Sequence, residues 1–275
     1  MHIYGAHISH YPNELSDEVD RINNIGANLV QLFVDPLFKD QTVYSNLKKK
    51  LKNMNMFSVV HASYTINLAN NWDEYSFWIT QFISEIVLAD KVGSFGIVIH
   101  MGKRLDLPKE IAYNNMYSSL LHIHNKTKKN SNVKIFLETP CGQGSEICYK
   151  IEDFAYFFKK FSLNRNKDVQ DRFRLCIDTA HIWAAGYNIS TIPTINIYLD
   201  SFEELIGIKY IGLIHLNDSK RELGSNVDRH ENIGKGYIGE NGLKYFSEFF
   251  KKYNVPIVLE TPYNLHEQEI KKYLK

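Results

Sequence analysis

The chain has 275 residues, 44% of them hydrophobic, and its 32 Lys+Arg nearly balance 31 Asp+Glu. This balance excludes a strongly basic protein, although a local basic surface stays compatible with it. Three cysteines without a CxxC pair favour reduced thiols in a reducing compartment. Because there is no signal-peptide pattern and no apolar run of about 18 residues, we expect a soluble cytoplasmic protein, with a nucleoid or a viral replication site as narrower options.

Short apolar runs alternate with helical segments along the whole chain. The runs are rich in Ile, Val and Leu and lie at 3–8, 28–34, 57–63, 95–100, 133–139, 174–181, 210–218 and 256–262. Segments with helical period lie between them, for example 72–93, 150–161 and 240–253. This pattern predicts an α/β protein, a (β/α)8 TIM barrel forming a single domain over 1–275. A doubly wound open sheet is the alternative, but a Gly-rich phosphate loop after the first strand is missing.

Ionisable residues recur where the predicted strands end, which is the face that carries the active site in such barrels. They are His61, His100, Glu138, Asp178, His181, His215, Asp228, His230 and Glu260. A lone histidine at a strand end is usually a satisfied core residue, and Asp228 with His230 alone would suit a solvated salt bridge. Four carboxylates at one mouth repel unless cations compensate them, however, and five imidazoles favour transition metals. Nine ligands would serve three divalent ions, whose residual positive charge favours a phosphodiester substrate.

Eight motifs together resemble the endonuclease IV family of metal-dependent AP endonucleases. The motifs are "GAHIS" (5–9), "HASYTINLA" (61–69), "IHMG" (99–102), "LETPCGQGSE" (137–146), "CIDTAHIWAAGY" (176–187), "IHLNDSK" (214–220), "NVDRHENIGKGYIG" (226–239) and "LETP" (259–262). The resemblance implies a barrel with three zinc ions, with manganese as an option at one or more sites. It also implies cleavage 5′ to an abasic site in double-stranded DNA, leaving a 3′-hydroxyl and a 5′-deoxyribose phosphate. A 3′-repair diesterase activity in base excision repair and action as a monomer without an obligate protein partner are further expectations.

The resemblance also distributes the ligands. It implies a first metal on His61, His100 and Glu138, a second on Asp178, His215 and Glu260 with Glu138 bridging, and a third on His181, Asp228 and His230. Glu138 and Glu260 are the predicted catalytic residues, since the expected nucleophile is a hydroxide held between the first two metals. On one zinc the pKa of water falls from about 15.7 to about 7.

Contacts to DNA are predicted around the same mouth. Tyr64 matches a tyrosine that the family inserts beside the lesion, and His7 is expected either to contact a substrate phosphate or to hydrogen-bond within the mouth. Basic residues of the surrounding loops are expected to bind phosphates, namely Lys220, Arg221, Arg229 and Lys235, with Lys103 and Arg104 opposite. The amides of Asn67, Gln143 and Asn217 fit either a contact to sugar or phosphate or a structural role.

One loop departs from the family. After the second strand the family carries an Arg-containing aromatic loop, whereas residues 34–43 read "VDPLFKDQTV". Phe38, Lys39 or Gln41 is then the substitute that the sequence offers. His122, His124 and His266 lie on helical segments and are expected on the surface.

Two rival functions remain from the sequence. A sugar isomerase or epimerase on a related barrel needs only one or two metals, so the set around His181, Asp228 and His230 would be surplus to it. A DNA-binding barrel with purely structural metals would need no open metal position.

Overall fold

Eight parallel strands form the closed barrel that the sequence predicts. The computed structural model describes residues 2–8 and 11–275, so Ser9 of the first motif lies outside the described residues. The barrel strands are β1 (Tyr4–His7), β2 (Leu29–Leu32), β3 (Phe57–His61), β4 (Gly96–Ile99), β5 (Lys134–Glu138), β6 (Phe173–Asp178), β7 (Ile211–His215) and, after the short pair β8 (Asp218–Ser219) and β9 (His230–Glu231), β10 (Ile257–Leu259). Their order around the barrel is β1-β10-β7-β6-β5-β4-β3-β2, which confirms the barrel and all eight apolar runs.

Helices cover the outside of this barrel. They are α1 (Leu15–Asn24), α2 (Thr42–Asn53), α3 (Phe77–Val92), α4 (Lys109–Lys126), α5 (Ile151–Ser162), α6 (Lys167–Arg172), α7 (Thr179–Ala184), α8 (Ile192–Leu205), α9 (Glu240–Lys252) and α10 (His266–Glu269), which continues into a π turn at Ile270–Leu274. Short 3-10 turns lie at Lys128–Asn130, Ile208–Tyr210 and Tyr263–Leu265. Among the described residues, no helix is both long and apolar enough to span a bilayer.

The start of α3 differs from the sequence expectation. Helical periodicity suggested a helix from Trp72, but the helix begins at Phe77. The Asp73 side chain accepts hydrogen bonds from the Tyr75 amide at 3.0 Å and from the Ser76 hydroxyl at 3.0 Å, which stabilises a turn there. Local side-chain bonding of this kind competes with a helical first turn.

Two apolar cores lie on the two sides of the barrel wall. The outer core packs alternate strand residues such as Val30, Val60 and Ile97 against the helices. The inner core is a separate buried cluster of Leu29, Val59, Val98, Phe136, Cys176, Leu213 and Val258. Since successive strand residues point to opposite faces, residues two positions further along each strand point inward above this cluster. The inner core therefore forms the floor of the barrel mouth.

Candidate metal centre

One polar layer lies directly above the inner core. It contains His7, Gln31, His61, His100, Glu138, Asp178, His215 and Glu260, and each of these except His7 lies two positions after a residue of the inner core. Six of these eight are predicted metal ligands. The regular alternation of the strands thus brings residues distant in sequence to one level of the mouth.

The first donor set joins β3, β4 and β5. Nε2 of His100 lies 3.0 Å from Oε2 of Glu138, and Nε2 of His61 lies 3.4 Å from the same oxygen. One donor atom from each of the three residues falls within 4.8 Å of the others, which is a spacing that a single metal ion can bridge. His61 and Glu138 are buried, while His100 is half-buried.

The second donor set uses the other oxygen of Glu138. Nδ1 of His215 lies 2.8 Å from Glu138 Oε1, 3.1 Å from Glu260 Oε2 and 3.8 Å from Asp178 Oδ2. Glu138 therefore faces the first set with Oε2 and the second with Oε1, as a bridging carboxylate would. The side chain of Glu260 is 11% exposed, against 0% for His215, so Glu260 forms the part of this set nearest the opening.

The third donor set combines α7 with the segment after β8. Asp228 approaches His181 Nε2 at 3.3 Å and His230 Nε2 at 3.1 Å. His230 is placed by the antiparallel pairing of β9 with β8, where it lies opposite Ser219. Oδ2 of Asp178 lies 3.5 Å from His230 Nε2, so the second and third sets meet at this carboxylate.

Hydrogen bonds orient three of the five imidazoles. In each case the ring nitrogen away from the site contacts a carbonyl oxygen: His61 Nδ1 to Ala62 O at 2.8 Å, His181 Nδ1 to Thr139 O at 2.9 Å, and His215 Nε2 to Gln31 Oε1 at 2.8 Å. A carbonyl oxygen only accepts, so that nitrogen carries a proton and the other nitrogen is the one that faces the carboxylates. Metal-binding histidines show this arrangement as a rule.

Three buried atoms in the centre form no hydrogen bond with any residue of the described ranges 2–8 and 11–275. They are Glu138 Oε2, His181 Nε2 and His230 Nε2. Buried polar atoms without a partner are costly and rare in folded proteins. Nitrogen and carboxylate donors of this kind suit zinc or a similar transition metal, so the residues present fit a metal centre.

Charge coupling in the centre favours cations next to the carboxylates. Burial raises the pKa of Glu138, but the imidazoles of His100 and His215 outweigh it and hold that pKa well below the usual value. Burial lowers the pKa of His230, yet the carboxylates of Asp178 and Asp228 raise it to about 9. In the metal-free chain, protons on the imidazoles thus supply the compensating charge that metal ions would otherwise provide.

Cys176 lies beneath the second set, and sequence reasoning did not assign it there. Its sulfur falls within 4.8 Å of donor atoms of Glu138 and His215. Burial raises the pKa of this thiol to about 12, so it stays protonated and packs in the inner core. The predicted absence of disulfides holds for the described cysteines, and Cys141 is a buried free thiol as expected.

Tyr64 divides the opening above the metal centre. Its side chain is 69% exposed, and its ring packs against Phe33, His61 and His100 with centroid distances of 5.4, 5.4 and 5.3 Å. A cavity of about 630 Å³ reaches past Tyr64 to Glu260, His230 and His7. A second cavity of about 190 Å³ lies beside Tyr64, His100, Lys103 and Arg229.

The predicted basic residues are exposed. Lys220, Arg221, Arg229, Lys235, Lys103 and Arg104 all lie on loops with their side chains accessible. Arg229 and Lys103 line the smaller cavity, adjacent to Asp228.

The three amides make structural hydrogen bonds. Asn217 donates to Asp178 Oδ2 at 2.7 Å, and Gln143 accepts the Asp228 amide at 3.1 Å. Asn67 donates to the Lys103 carbonyl at 2.9 Å. Of the two options left open by the sequence, the structural role is thus the one observed for all three.

His7 is also held inside the mouth. Its Nδ1 lies 3.0 Å from Nε2 of Gln31, and its ring packs against Phe33. Burial lowers its pKa to about 3, so the ring is neutral. Hydrogen bonding within the mouth, one of its two predicted roles, is present.

The prediction that His124 and His266 lie on the surface is wrong. His124 and His266 are buried, whereas only His122 of the three is partly accessible. His266 contacts the Thr261 carbonyl through Nε2 at 2.9 Å, and His124 packs near Phe173. Helical position alone did not reveal that these faces pack inward.

The loop after β2 is stabilised by hydrogen bonds between its own residues. Gln41 Nε2 donates to the carbonyls of Phe38 at 2.7 Å and Asp35 at 3.2 Å, so its amide is engaged within the loop. Lys39 is exposed, Phe38 is partly exposed, and Leu37 is exposed as well. That Phe38 or Lys39 takes the place of the missing arginine stays a prediction.

Comparisons with known proteins identify the family and the fold of the chain. A family model described as a xylose isomerase-like TIM barrel matches residues 19–275. The probable endonuclease 4 of Mycoplasma mobile is 40% identical over 222 residues, covering 78% of this chain and 74% of that protein. The putative endonuclease 4 of Acanthamoeba polyphaga mimivirus is 32% identical over 281 residues, covering 92% and 87%.

Solved structures share the fold. Endonuclease IV from Thermus thermophilus has a TM-score of 0.77 at 23% identity, covering 97% of this chain and 95% of that chain. A D-tagatose 3-epimerase-like protein has a TM-score of 0.70 at 16% identity, covering 100% and 97%. At such identities these likenesses concern the fold alone.

Barrel, polar layer and family model together define a xylose isomerase-like TIM barrel. Within that class, identity to curated relatives over most of the chain is decisive, and the chain belongs to the endonuclease IV family. It is accordingly an endonuclease, and its clustered His and carboxylate donors are those of a metal-dependent hydrolase.

Proposed function

We propose that this chain repairs DNA by hydrolysing the phosphodiester 5′ to an abasic site in double-stranded DNA. The products are a 3′-hydroxyl and a 5′-deoxyribose phosphate, and a 3′-repair diesterase activity accompanies the cut. The observation that carries the proposal is the meeting of three donor sets in one mouth, linked through Glu138 and Asp178. In the third set, donor atoms of Asp178, His181 and His230 lie within 4.8 Å of one another, and Asp228 contacts both imidazoles. A sugar epimerase would not need the third of these sets.

The proposal includes the ligand assignment. His61, His100 and Glu138 hold one zinc ion, and Asp178, His215 and Glu260 with Glu138 hold a second. His181, Asp228 and His230 would hold a third, and Asp178 Oδ2 lies 3.5 Å from His230 Nε2. The close contacts within each set support this assignment, and manganese remains an option at one or more positions.

Bound metals would supply Lewis-acid stabilisation of the phosphoryl oxygens and acidify a bound water. The chain's own groups then orient the reactants. Glu260 borders the larger cavity, where its carboxylate can accept a hydrogen bond from the attacking water. Glu138 is buried and fixes the spacing of the first two donor sets.

Selectivity for a damaged duplex rests on Tyr64. An exposed aromatic ring at the rim can enter the base stack, and an abasic nucleotide costs less to extrude than a paired one. Exposed Lys220, Arg221, Arg229 and Lys235 would bind the backbone phosphates of the same duplex. One barrel carries all these groups, so we propose that the chain acts as a monomer.

A nicking assay tests the function. The substrate is a duplex with one tetrahydrofuran abasic analogue, which resists β-elimination, beside an undamaged duplex of the same sequence. Cleavage on the 5′ side that leaves a 3′-hydroxyl, and that prolonged chelation abolishes and zinc restores, is the expected result. No cleavage by protein that retains its metals would overturn the proposal.

The variant Asp228→Asn tests the third donor set in the same assay. It should lose one bound metal equivalent and lower kcat by at least about 100-fold, a loss of about 2.7 kcal/mol in transition-state stabilisation. Asp200→Asn, on the outer helix α8, serves as the matched control and should retain all metals. Full metal content and activity in Asp228→Asn would show that the Asp228 carboxylate is not a required metal ligand.

A further inference from the structure

Gln31 is a polar residue in an otherwise apolar strand. It lies on β2 between Val30 and Leu32, and it is 0% exposed. Leu29, two positions earlier, belongs to the inner core, so Gln31 points into the mouth. It occupies the same polar layer as the metal-donor residues although an amide is not among the usual zinc ligands.

The side-chain amide of Gln31 joins three groups of the mouth. Nε2 lies 2.6 Å from Glu260 Oε1 and 3.0 Å from His7 Nδ1, while Oε1 lies 2.8 Å from His215 Nε2. An ionised carboxylate only accepts hydrogen bonds, so the atom facing Glu260 must be the nitrogen. This fixes the orientation of the amide without reference to the histidines.

The orientation of the Gln31 amide determines the tautomers of His215 and His7. Because Oε1 accepts, Nε2 of His215 carries a proton, which leaves Nδ1, facing Glu138 and Glu260, as the atom that a metal would bind. Because the second N–H of Gln31 donates to His7 Nδ1, His7 carries its proton on Nε2. His7 lines the larger cavity, so that N–H is a donor suited to a substrate phosphate oxygen.

We infer that Gln31 is a positioning residue that sets Glu260, His215 and His7 for metal binding and substrate contact. The inference rests on the proposed function for its meaning in catalysis, but its effect on the donor set is independent of the substrate. Outer-shell partners of metal ligands typically contribute 10–100-fold to affinity or activity. The loss of one buried amide therefore has a measurable consequence at the second donor set.

Two substitutions separate the contacts of Gln31. Gln31→Met keeps the approximate side-chain volume and removes all three hydrogen bonds. Gln31→Glu keeps an acceptor for His215 but removes the donors to Glu260 and His7 and adds a negative charge. Ser58→Ala is the matched control, because Ser58 is a buried hydroxyl on the neighbouring strand β3 that pairs with Ser94 and not with the centre.

The first measurement is the zinc affinity of the purified holoprotein in competition with a chromogenic chelator. In Gln31→Met, one zinc equivalent should bind about 10–100-fold more weakly, whereas Ser58→Ala should match the wild type. The second measurement is ¹⁵N NMR of the histidine rings in the zinc-loaded protein. The Nε2 proton of His215 should be hydrogen-bonded and protected from solvent exchange in wild type and in Gln31→Glu, and this protection should be lost in Gln31→Met.

The outcomes of these measurements distinguish the positioning role of Gln31 from the proposed function. Unchanged zinc affinity and unchanged protection of the His215 Nε2 proton in a folded Gln31→Met would overturn the role of Gln31. If Gln31→Met does not fold, unaltered zinc affinity in Gln31→Glu overturns it instead. If wild type fails to cut abasic DNA while Gln31→Met still weakens one zinc, the proposed function fails and the positioning role stands.

Discussion

Gly236 donates its backbone amide to Asp218, and a Cβ added at Gly236 would lie 2.5 Å from Asp218 Oδ1. The same buried carboxylate accepts the amides of Gly234 and Ile238, each at 2.9 Å. Hydrogen bonds from several amides to one carboxylate are strong because the acceptor is charged. Asp218, on β8, thereby holds the segment 234–238, which follows His230, against β8.

Gly236→Ala should therefore destabilise this segment. The new methyl group would also lie 2.4 Å from the Ser219 carbonyl oxygen, so backbone as well as the carboxylate must move. We expect a loss of about 1–3 kcal/mol in the free energy of unfolding, measured by urea denaturation of the zinc-loaded protein. Gly144→Ala is the control, since Gly144 has a φ of +67° but open space at its Cβ, and it should lose less than Gly236→Ala. A smaller loss in Gly236→Ala than in this control would contradict the packing argument.

Tyr64→Ala should raise KM for the abasic duplex about tenfold or more, with a smaller change in kcat. Its ring is exposed over the centre but supplies no metal-donor atom, so its removal weakens substrate binding more than the reaction itself. Tyr64→Phe keeps the ring and should keep KM near the wild-type value. Tyr253→Ala, an exposed tyrosine at the end of α9, provides the comparison and should leave both constants unchanged. Steady-state kinetics that show the wild-type KM in Tyr64→Ala would remove Tyr64 from substrate recognition.

Glu85 should make stability depend on pH. It is 1% exposed and accepts the Ser63 amide at 3.1 Å, and burial raises its pKa from 4.5 to about 7. Between these values the folded chain binds more protons than the unfolded chain, so the contribution of Glu85 to stability is full below about pH 4.5 and is lost as pH rises to about 7. Glu85→Gln removes this titration.

The test compares unfolding of Glu85→Gln and wild type in urea at several pH values with equal zinc. The difference in unfolding free energy should move in favour of the variant by on the order of 3 kcal/mol as pH rises through this window. Comparing the two proteins cancels titrations that they share. A difference that stays constant with pH would show that Glu85 ionises normally.

Strand periodicity made much of the centre predictable. His61, Glu138 and Asp178 end apolar runs, and closure of the barrel brings such ends together whatever their separation in sequence. The sequence pattern marked Asp228 and His230 as candidate ligands, the family resemblance assigned them to a third metal, and the structure brings both beside His181. Their assignment as metal ligands remains a proposal supported by these contacts.

Residues that depend on a distant partner were not predictable. Gln31 contacts Glu260, which is 229 positions away in sequence, and the local sequence "LVQLF" does not indicate this partner. Its position two residues after an inward leucine is the signal that could have placed it in the mouth. His266 was assigned to the surface because helix period does not say which face packs against the barrel, and its contact to the Thr261 carbonyl shows the opposite.

Arg229→Ala should weaken binding to damaged and undamaged duplexes alike. Arg229 is exposed on the loop that carries Asp228 and lines the smaller cavity with Lys103, so it is placed for a phosphate rather than for a base. Loss of one phosphate contact lowers the slope of log K against log salt by about 1 and leaves the preference for the lesion nearly unchanged. Fluorescence anisotropy across a salt series measures both quantities. Arg165→Ala, in the exposed segment after α5 at the opposite end of the barrel, should keep the wild-type slope. An equal change in slope for both variants would mean that net charge, and not the position of Arg229, governs the contact.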